Sequence, residues 1–214
     1  ETGSGKNNLI ETVIKTVKLG HPFTQGTGDS NQIWVELNVF HEGQLIGMSG
    51  GMDSSGIVDD WSYFINVYML DNQGNRIDRR NVENIFTPLY NHSIPPGAGA
   101  VVHYELDIPE GLSGEISIEA RVLYRKFDTN YYRLFIDDQN KMNDLPIVTL
   151  ATDVQKLNVR AGLEPESESE SIVLDPQDWK RWNDFGIGLL RSQSYKQAEF
   201  VFLKVAEMGR AEGW

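Results

Sequence analysis

Between residues 9 and 160, apolar and polar residues alternate in short runs that Gly, Pro, Asn and Asp interrupt. A period of two is typical of strands that bury one face, and the interruptions mark turns. Three rows carry the pattern: Ile33, Val35, Leu37 and Val39; Val102, Tyr104, Leu106 and Ile108; and Ile116, Ile118, Ala120, Val122 and Tyr124. Because one-sided strands need a second layer over the buried face, the sequence predicts a mainly β fold, an antiparallel two-sheet β-sandwich over residues 9–160.

The stretch "WSYFINVYMLDNQGNRIDRR" predicts a hairpin in this sandwich, with a strand over residues 61–70 and a return strand from near Arg76. The turn that starts at Asp71 also suggests a calcium loop. An EF-hand loop has Gly at its sixth position and a carboxylate at its twelfth, whereas here Gly74 is fourth and Val82 is twelfth. We therefore interpret this turn, and the Gly-rich stretches "TQGTGDS" and "GMSGGMDSSG", as loops between strands.

The composition changes over residues 161–177, where four glutamates alternate with serine: Glu164, Glu166, Glu168 and Glu170. Such a segment repels itself and has no apolar side chains to bury, which predicts an extended acidic linker. We expect it to separate the sandwich from a second unit over residues 178–214. Residues 1–8 are interpreted as a flexible N-terminus or a remnant of an expression vector.

After the linker, the apolar period becomes helical, and Asp175 followed by Pro176 is a helix start signal. The order Trp182, Phe185, Gly186, Leu189, then Tyr195, Ala198 and Phe202 resembles the tetratricopeptide repeat, in which Gly and Ala let two helices approach closely. One such helix pair cannot bury its own apolar face. Either further repeats continue the array, or the helix pair docks on the sandwich or on another subunit. The leading expectation is an incomplete array whose face has no cover in this chain and binds a partner through five residues: Trp182, Phe185, Leu189, Tyr195 and Phe202.

Charge and cysteine content exclude several functions. The 19 Lys and Arg residues against 31 Asp and Glu residues give a net charge of −12, which repels nucleic acids and anionic membrane surfaces. No apolar run approaches the roughly 18 residues of a membrane span. We therefore expect no nucleic acid partner and no membrane insertion. The absence of Cys from the sequence excludes disulfides, thiolate metal sites and covalent haem attachment through CxxCH within these residues.

Taken together, several segments of the β half resemble the non-haem regions of extracytoplasmic multihaem c-type cytochromes, some of which continue into tetratricopeptide repeats. The segments are "LGHPFTQGTGDSNQIWVELNVF", "FINVYMLDNQGNRIDRRN", "SIPPGAGAVVHYELDIPEG" and "ISIEARVLYRKF". The order "HPFTQG" departs from the family's aromatic-Pro-Thr-Gly order. The resemblance implies a periplasmic or cell-surface electron-transfer protein, with no cofactor in this chain and c-type haem in an upstream segment of the parent protein.

Three functional hypotheses follow. The first is a non-catalytic assembly module that binds redox proteins or copies of itself. The second is a haem-binding or metal-binding electron carrier with a His or Met ligand, for which His21 and His103 are the candidates, although no metal motif is present. The third is a carbohydrate-binding or hydrolytic sandwich that uses the carboxylates Asp53, Asp59 and Asp60 with exposed aromatic rings.

Overall fold

The computed structural model describes residues 2–5, 7–26, 30–138, 140–161 and 175–208. The strands are β1 (Thr2–Gly3), β2 (Asn7–Lys15), β3 (Gln32–His41), β4 (Gln44–Ser49), β5 (Val67–Leu70), β6 (Thr87–Asn91), β7 (Gly99–Asp107), β8 (Gly114–Arg125) and β9 (Val148–Arg160). The helices are α1 (Thr129–Arg133), α2 (Trp179–Arg191) and α3 (Tyr195–Glu207), with short 3-10 turns at Val82–Asn84 and Pro176–Asp178. None of the helices in the described ranges is long and apolar enough to span a membrane.

The chain divides into two compact units, and β3, β4, β8 and most of β9 belong to the second, which comprises Phe23–Ser93 and Gly114–Asn158. There, β3 pairs antiparallel with β8 on one side and with β4 on the other, and β9 follows β8. The first half of β3 is buried on both faces, because Trp34 packs in a core cluster with Val58, Phe64 and Leu123. Alternate residues of this strand therefore point to opposite faces of the sheet, and both faces are buried in its first half.

The first unit comprises Glu1–Pro22, Ile94–Ser113 and Val159–Trp214. Its sheet consists of β2 and β7, which pair antiparallel over nine residues from Asn7 opposite Asp107 to Lys15 opposite Gly99. The strand β1, within the predicted flexible N-terminus, pairs in parallel with the last two residues of β9. The helix pair α2 and α3 also belongs to this unit.

The predicted fold class is confirmed: the protein is mainly β with antiparallel sheets and a C-terminal helix pair. The start signal at Asp175 is also confirmed, since its carboxylate accepts a hydrogen bond from the Gln177 amide just before α2. The predicted return strand near Arg76 is wrong. Arg76 forms an isolated bridge to Leu70 and the Ile77 amide donates to the Met69 carbonyl oxygen at 2.8 Å, whereas the strand that pairs with β5 is β6.

Most of the predicted acidic linker, residues 162–174, lies outside the described residues. The helix pair that follows it shares a unit with β2 and β7, whereas the sequence predicted a unit of its own over residues 178–214. The reason is packing between α2 and β7.

Candidate functional site

Two glycines of α2 allow close packing, Gly188 against the β2–β7 sheet and Gly186 against α3. A Cβ placed on Gly188 would lie 2.5 Å from Cγ2 of Val101, a residue of β7, so only glycine allows this approach. A Cβ on Gly186 would lie 2.7 Å from the ring of Phe202, a residue of α3. One face of α2 therefore meets the sheet, and another meets α3.

A single apolar cluster joins the sheet and both helices. Its buried members are Val101, Leu189, Ala198 and Val201, and Val13, Trp182, Phe185 and Phe202 pack against it half-buried. Burial of a side chain such as Leu189 contributes roughly 1.5–3 kcal/mol relative to its exposure. The cluster is the interior of this unit and is closed by its own sheet.

Polar contacts fasten the same interface at its edge. Lys15 on β2 donates from Nζ to both carboxylate oxygens of Asp184 on α2, at 2.6 and 2.7 Å. Arg191 at the end of α2 donates to the carbonyl oxygen of Gly99 at 2.7 Å. Between the helices, Gln193 has a φ of +63°, the left-handed conformation common where a helix ends. These contacts fix the position of α2 on the strands.

The expectation that the helix pair has an apolar face without cover in this chain is wrong. Leu189 is fully buried against β7, and Trp182, Phe185 and Phe202 are half-buried in the same cluster. Of the five predicted partner-binding residues, Tyr195 is the one with a largely exposed side chain, at 61%. Whether any of the five binds a partner stays a prediction.

A second apolar surface lies on the opposite side of α3. Phe200 is 50% exposed and Leu203 is 58% exposed, and residues three positions apart share one face of a helix. We call Phe200 and Leu203 the outer surface of α3. The ammonium group of Lys204 lies 5.5 Å from the centre of the Phe200 ring, and Nζ is 3.0 Å from Glu207 Oε2. A partner that covers this surface meets apolar side chains bordered by charges.

Phe200 and Leu203 were not predicted from the sequence. The predicted stripe contains Ala198 and Phe202, which mark the interior side of α3. The available signal was the pair of large apolar residues that falls off this stripe in "KQAEFVFLKVAE".

Three of the histidines have different local partners. His21 is exposed, with Nδ1 3.0 Å from the carbonyl oxygen of Pro22, and Nε2 of His103 lies 3.0 Å from Glu11 Oε1. His92 stacks on Tyr63 and Tyr90 with ring centres 4.7 and 4.3 Å apart. No group of three or more potential metal ligands occurs among the described residues. A ligand role for His21 or His103 stays a prediction.

The three carboxylates proposed for a hydrolytic site do come together. Asp53, Asp59 and Asp60 line one open pocket of about 390 Å³ in the second unit. Asp53 is engaged in its own loop, since Oδ1 accepts hydrogen bonds from the Ile57 amide and from both donors of Ser55, at 2.8 to 2.9 Å. These hydrogen bonds, chiefly the one from Ile57, hold the pKa of Asp53 below its usual value of 3.8.

Among the aromatic residues of positions 34–68, which motivate the carbohydrate hypothesis, Trp61 is the one with a largely exposed ring. Trp34 and Phe64 are buried, and Tyr63 and Tyr68 are half-buried. Burial raises the pKa of the Tyr68 hydroxyl, whose ring also stacks beneath the Arg76 guanidinium at 3.6 Å. Trp61, in contrast, is 94% exposed and directly follows Asp60. A single exposed ring beside carboxylates differs from the row of rings that the carbohydrate hypothesis needs.

Comparisons with known proteins give one structural likeness. No protein family model matches the chain, and no curated protein matches it significantly. The structure is similar to that of a penta-haem cytochrome c552 from Thermochromatium tepidum, with a TM-score of 0.52 and 14% sequence identity. The match covers 70% of this chain and 36% of the cytochrome chain. The two proteins therefore share a fold over this region, and this chain spans about a third of the cytochrome's length.

Proposed function

We propose that this chain is a non-catalytic docking region of an extracytoplasmic multihaem cytochrome system. The observation that carries the proposal is the fold shared with part of a penta-haem cytochrome c552 over 70% of the chain. The printed sequence contains no Cys, so c-type haem in this system is attached to another segment of the polypeptide or to a partner protein. This chain then contributes structure and contact surfaces to electron transfer.

The partner contact belongs on the outer surface of α3 in this proposal. Much of the interior side of the helix pair is covered by β2 and β7, which favours the exposed side as the contact surface. Phe200 and Leu203 keep 50% and 58% of their surface exposed. Aromatic and aliphatic side chains of this size are the usual anchors of protein interfaces. The partner is a redox protein or a second copy of the chain.

The haem association is tested on protein from its native source. Antibodies against this chain are used to locate it after cell fractionation, and the purified material is stained for covalent haem on a denaturing gel. We expect the chain in an extracytoplasmic fraction, with haem on its own polypeptide or on a stoichiometric partner. Recovery from the cytoplasm, or without any haem protein, would contradict the proposal.

The docking surface is tested by sedimentation velocity of the purified chain, alone and with the haem protein identified in that experiment. We expect the double variant Phe200→Ser and Leu203→Ser to weaken the association at least about tenfold, since two buried apolar contacts are lost. The matched control is Leu45→Ser, an exposed apolar position on β4. Equal association of the double variant and the control would place the contact elsewhere.

A further inference from the structure

The pocket that contains Asp53, Asp59 and Asp60 has a mixed lining. Its remaining residues are Met48, Gly51, Met52, Ile57 and Val58. Met48, Met52 and Ile57 are themselves exposed, and Trp61 lies next in the chain to the pocket residue Asp60. Apolar side chains thus line the same pocket as the carboxylates, at the end of β4 and in the loop that follows it.

This loop is held in a fixed shape. Within it, the Asp53 amide donates to the Ile57 carbonyl oxygen at 2.9 Å, and the Asp59 amide donates to the Gly51 carbonyl oxygen at 2.9 Å. The backbone also requires glycine at its start, because Gly50 has a φ of +82° and a Cβ there would lie 2.3 Å from the Val35 carbonyl oxygen. A pocket formed by such a loop exists before any ligand arrives.

Buried hydrogen-bond donors of the second unit also hold this loop in place. The indole nitrogen of Trp34 donates to the Gly50 carbonyl oxygen at 3.0 Å. The Gly56 carbonyl oxygen accepts from Arg125 Nη2 at 2.8 Å and from Thr129 Oγ1 at 2.6 Å. Preorganisation of this kind lowers the entropy that binding costs. The ordered loop nevertheless leaves the Trp61 ring in solvent.

The carboxylates of the pocket indicate which kind of group it can bind. Asp59 and Asp60 make no ion pair within the described residues, and Asp59 uses one oxygen to accept from the Trp61 amide at 3.1 Å. The chain as a whole carries −12. Carboxylates that share a pocket with two Met side chains, and are followed in the chain by an exposed Trp, suit a cationic group next to an apolar one, with the flexible thioethers adapting to its shape.

We propose that the pocket and Trp61 form a docking site for a basic segment of a partner protein, with a Lys or Arg side chain at Asp59 and Asp60 and a neighbouring apolar side chain against Met48, Met52 and Trp61. This site lies in the second unit, whereas the outer surface of α3 lies in the first. It does not depend on the haem association proposed above.

The site is tested by NMR titration of the full chain with a blocked pentapeptide in which two lysines flank one leucine. We expect saturable shift changes confined to residues 48–62. We also expect affinity to fall at least about fivefold, or about 1 kcal/mol, in Trp61→Ala and in the double variant Asp59→Asn and Asp60→Asn. Both changes are on the surface, and Asn retains an acceptor for the Trp61 amide, so the variants should melt as the unchanged protein does.

Matched controls separate this site from general attraction to a negative protein. Phe86→Ala removes another exposed ring of the same unit, and Glu83→Gln removes another exposed carboxylate; both should bind the peptide unchanged. The same peptide with glutamates in place of lysines should not bind. Absence of saturable binding, equal binding by all variants, or shifts centred on residues 82–89 would overturn the proposal. Equal affinity for free arginine would overturn it in favour of a small-cation pocket.

Discussion

Gly188 in α2 lies so close to Val101 in β7 that a Cβ on the glycine would come within 2.5 Å of a valine methyl carbon. This contact brings the helix pair into the core of its unit, because it places Leu189 in one cluster with Val101 and Ala198. The helices are thus part of the core of the first unit, although the sequence predicted a separate unit over residues 178–214. Their exposed apolar surface is the outer surface of α3.

The first prediction concerns Gly188→Ala. Replacing glycine inside a helix ordinarily stabilises it by about 1 kcal/mol. Here the added carbon meets a stiff, branched side chain and the β7 backbone, and overpacking of this kind costs roughly 1–3 kcal/mol. We expect a net loss of about 1 kcal/mol in the free energy of unfolding, measured in urea. Ala206→Gly, at an exposed position of α3, calibrates the helix term. Stabilisation by Gly188→Ala would contradict the close approach.

The second prediction concerns the ion pair of Lys15 and Asp184, whose side chains are 40% and 16% exposed. Because solvent screens such a pair, we expect a double-mutant cycle with Lys15→Met and Asp184→Asn to give a coupling of at most about 1 kcal/mol. The coupling should shrink in about 1 M salt, where charges are screened within about 3 Å. The pair of Lys204 and Glu207 within α3 is the control and should couple by about 0.3 kcal/mol. Coupling that is insensitive to salt would rule out an ionic contact.

The sequence predicted those parts of the fold that depend on local patterns. The row Val102, Leu106 and Ile108 is buried as its period of two predicts, and His103 and Glu105 face solvent. The helix pair follows from its own period and start signal. Tertiary contacts could not be predicted. The alternation places Val101 on the outer face of β7, and no local pattern shows that a helix more than 80 residues later covers it.

The candidate sites divide in the same way. Asp53, Asp59 and Asp60 are near one another in sequence, so their shared pocket could be expected from a short loop. The exposure of Trp61 and the burial of Trp34 could not be predicted, because both residues occur in similar strand-like patterns. Only the position of Trp34 above Gly50 and beside Val58 distinguishes them.

The third prediction concerns acid. Hydrogen bonds from the Ile57 amide and Ser55 lower the pKa of Asp53, and hydrogen bonds from the Asn75 side chain and backbone lower that of Asp71. A carboxylate with a lowered folded-state pKa adds stability above its ordinary pKa of 3.8 and loses that contribution as the pH falls through the folded value. We expect Asp53→Ala and Asp71→Ala to be destabilised relative to the unchanged protein at about pH 6 and less so at about pH 3.

Asp60→Ala is the control for acid, since Asp60 makes no hydrogen bond or ion pair among the described residues. Its urea midpoint should track that of the unchanged protein at both pH values. If the destabilisation of Asp53→Ala and Asp71→Ala were the same at both, the loops would not depend on ionised carboxylates.

The fourth prediction concerns Arg125, a fully buried side chain of β8. It donates to Gln32 Oε1 and to the Gly56 carbonyl oxygen, and burial lowers its pKa. Arg125→Met keeps the volume but leaves both acceptors without this partner, so we expect a loss of about 2–4 kcal/mol and faster proteolysis of residues 50–62. Arg121→Met, a partly exposed position on the same strand, should cost about 1 kcal/mol or less. Similar losses from both would contradict a special role for the buried guanidinium.

The most direct test of the helix pair's place in the core is native-state hydrogen exchange of the full chain. We expect the central amides of α2 to exchange as slowly as those of β7, and protection in both to fall together in Gly188→Ala. The outer surface of α3 would then be the part of the helix pair that remains for a partner. Rapid exchange throughout α2 and α3 while β7 stays protected would instead show a helix pair that opens independently of the sheet, with its interior residues accessible to other proteins.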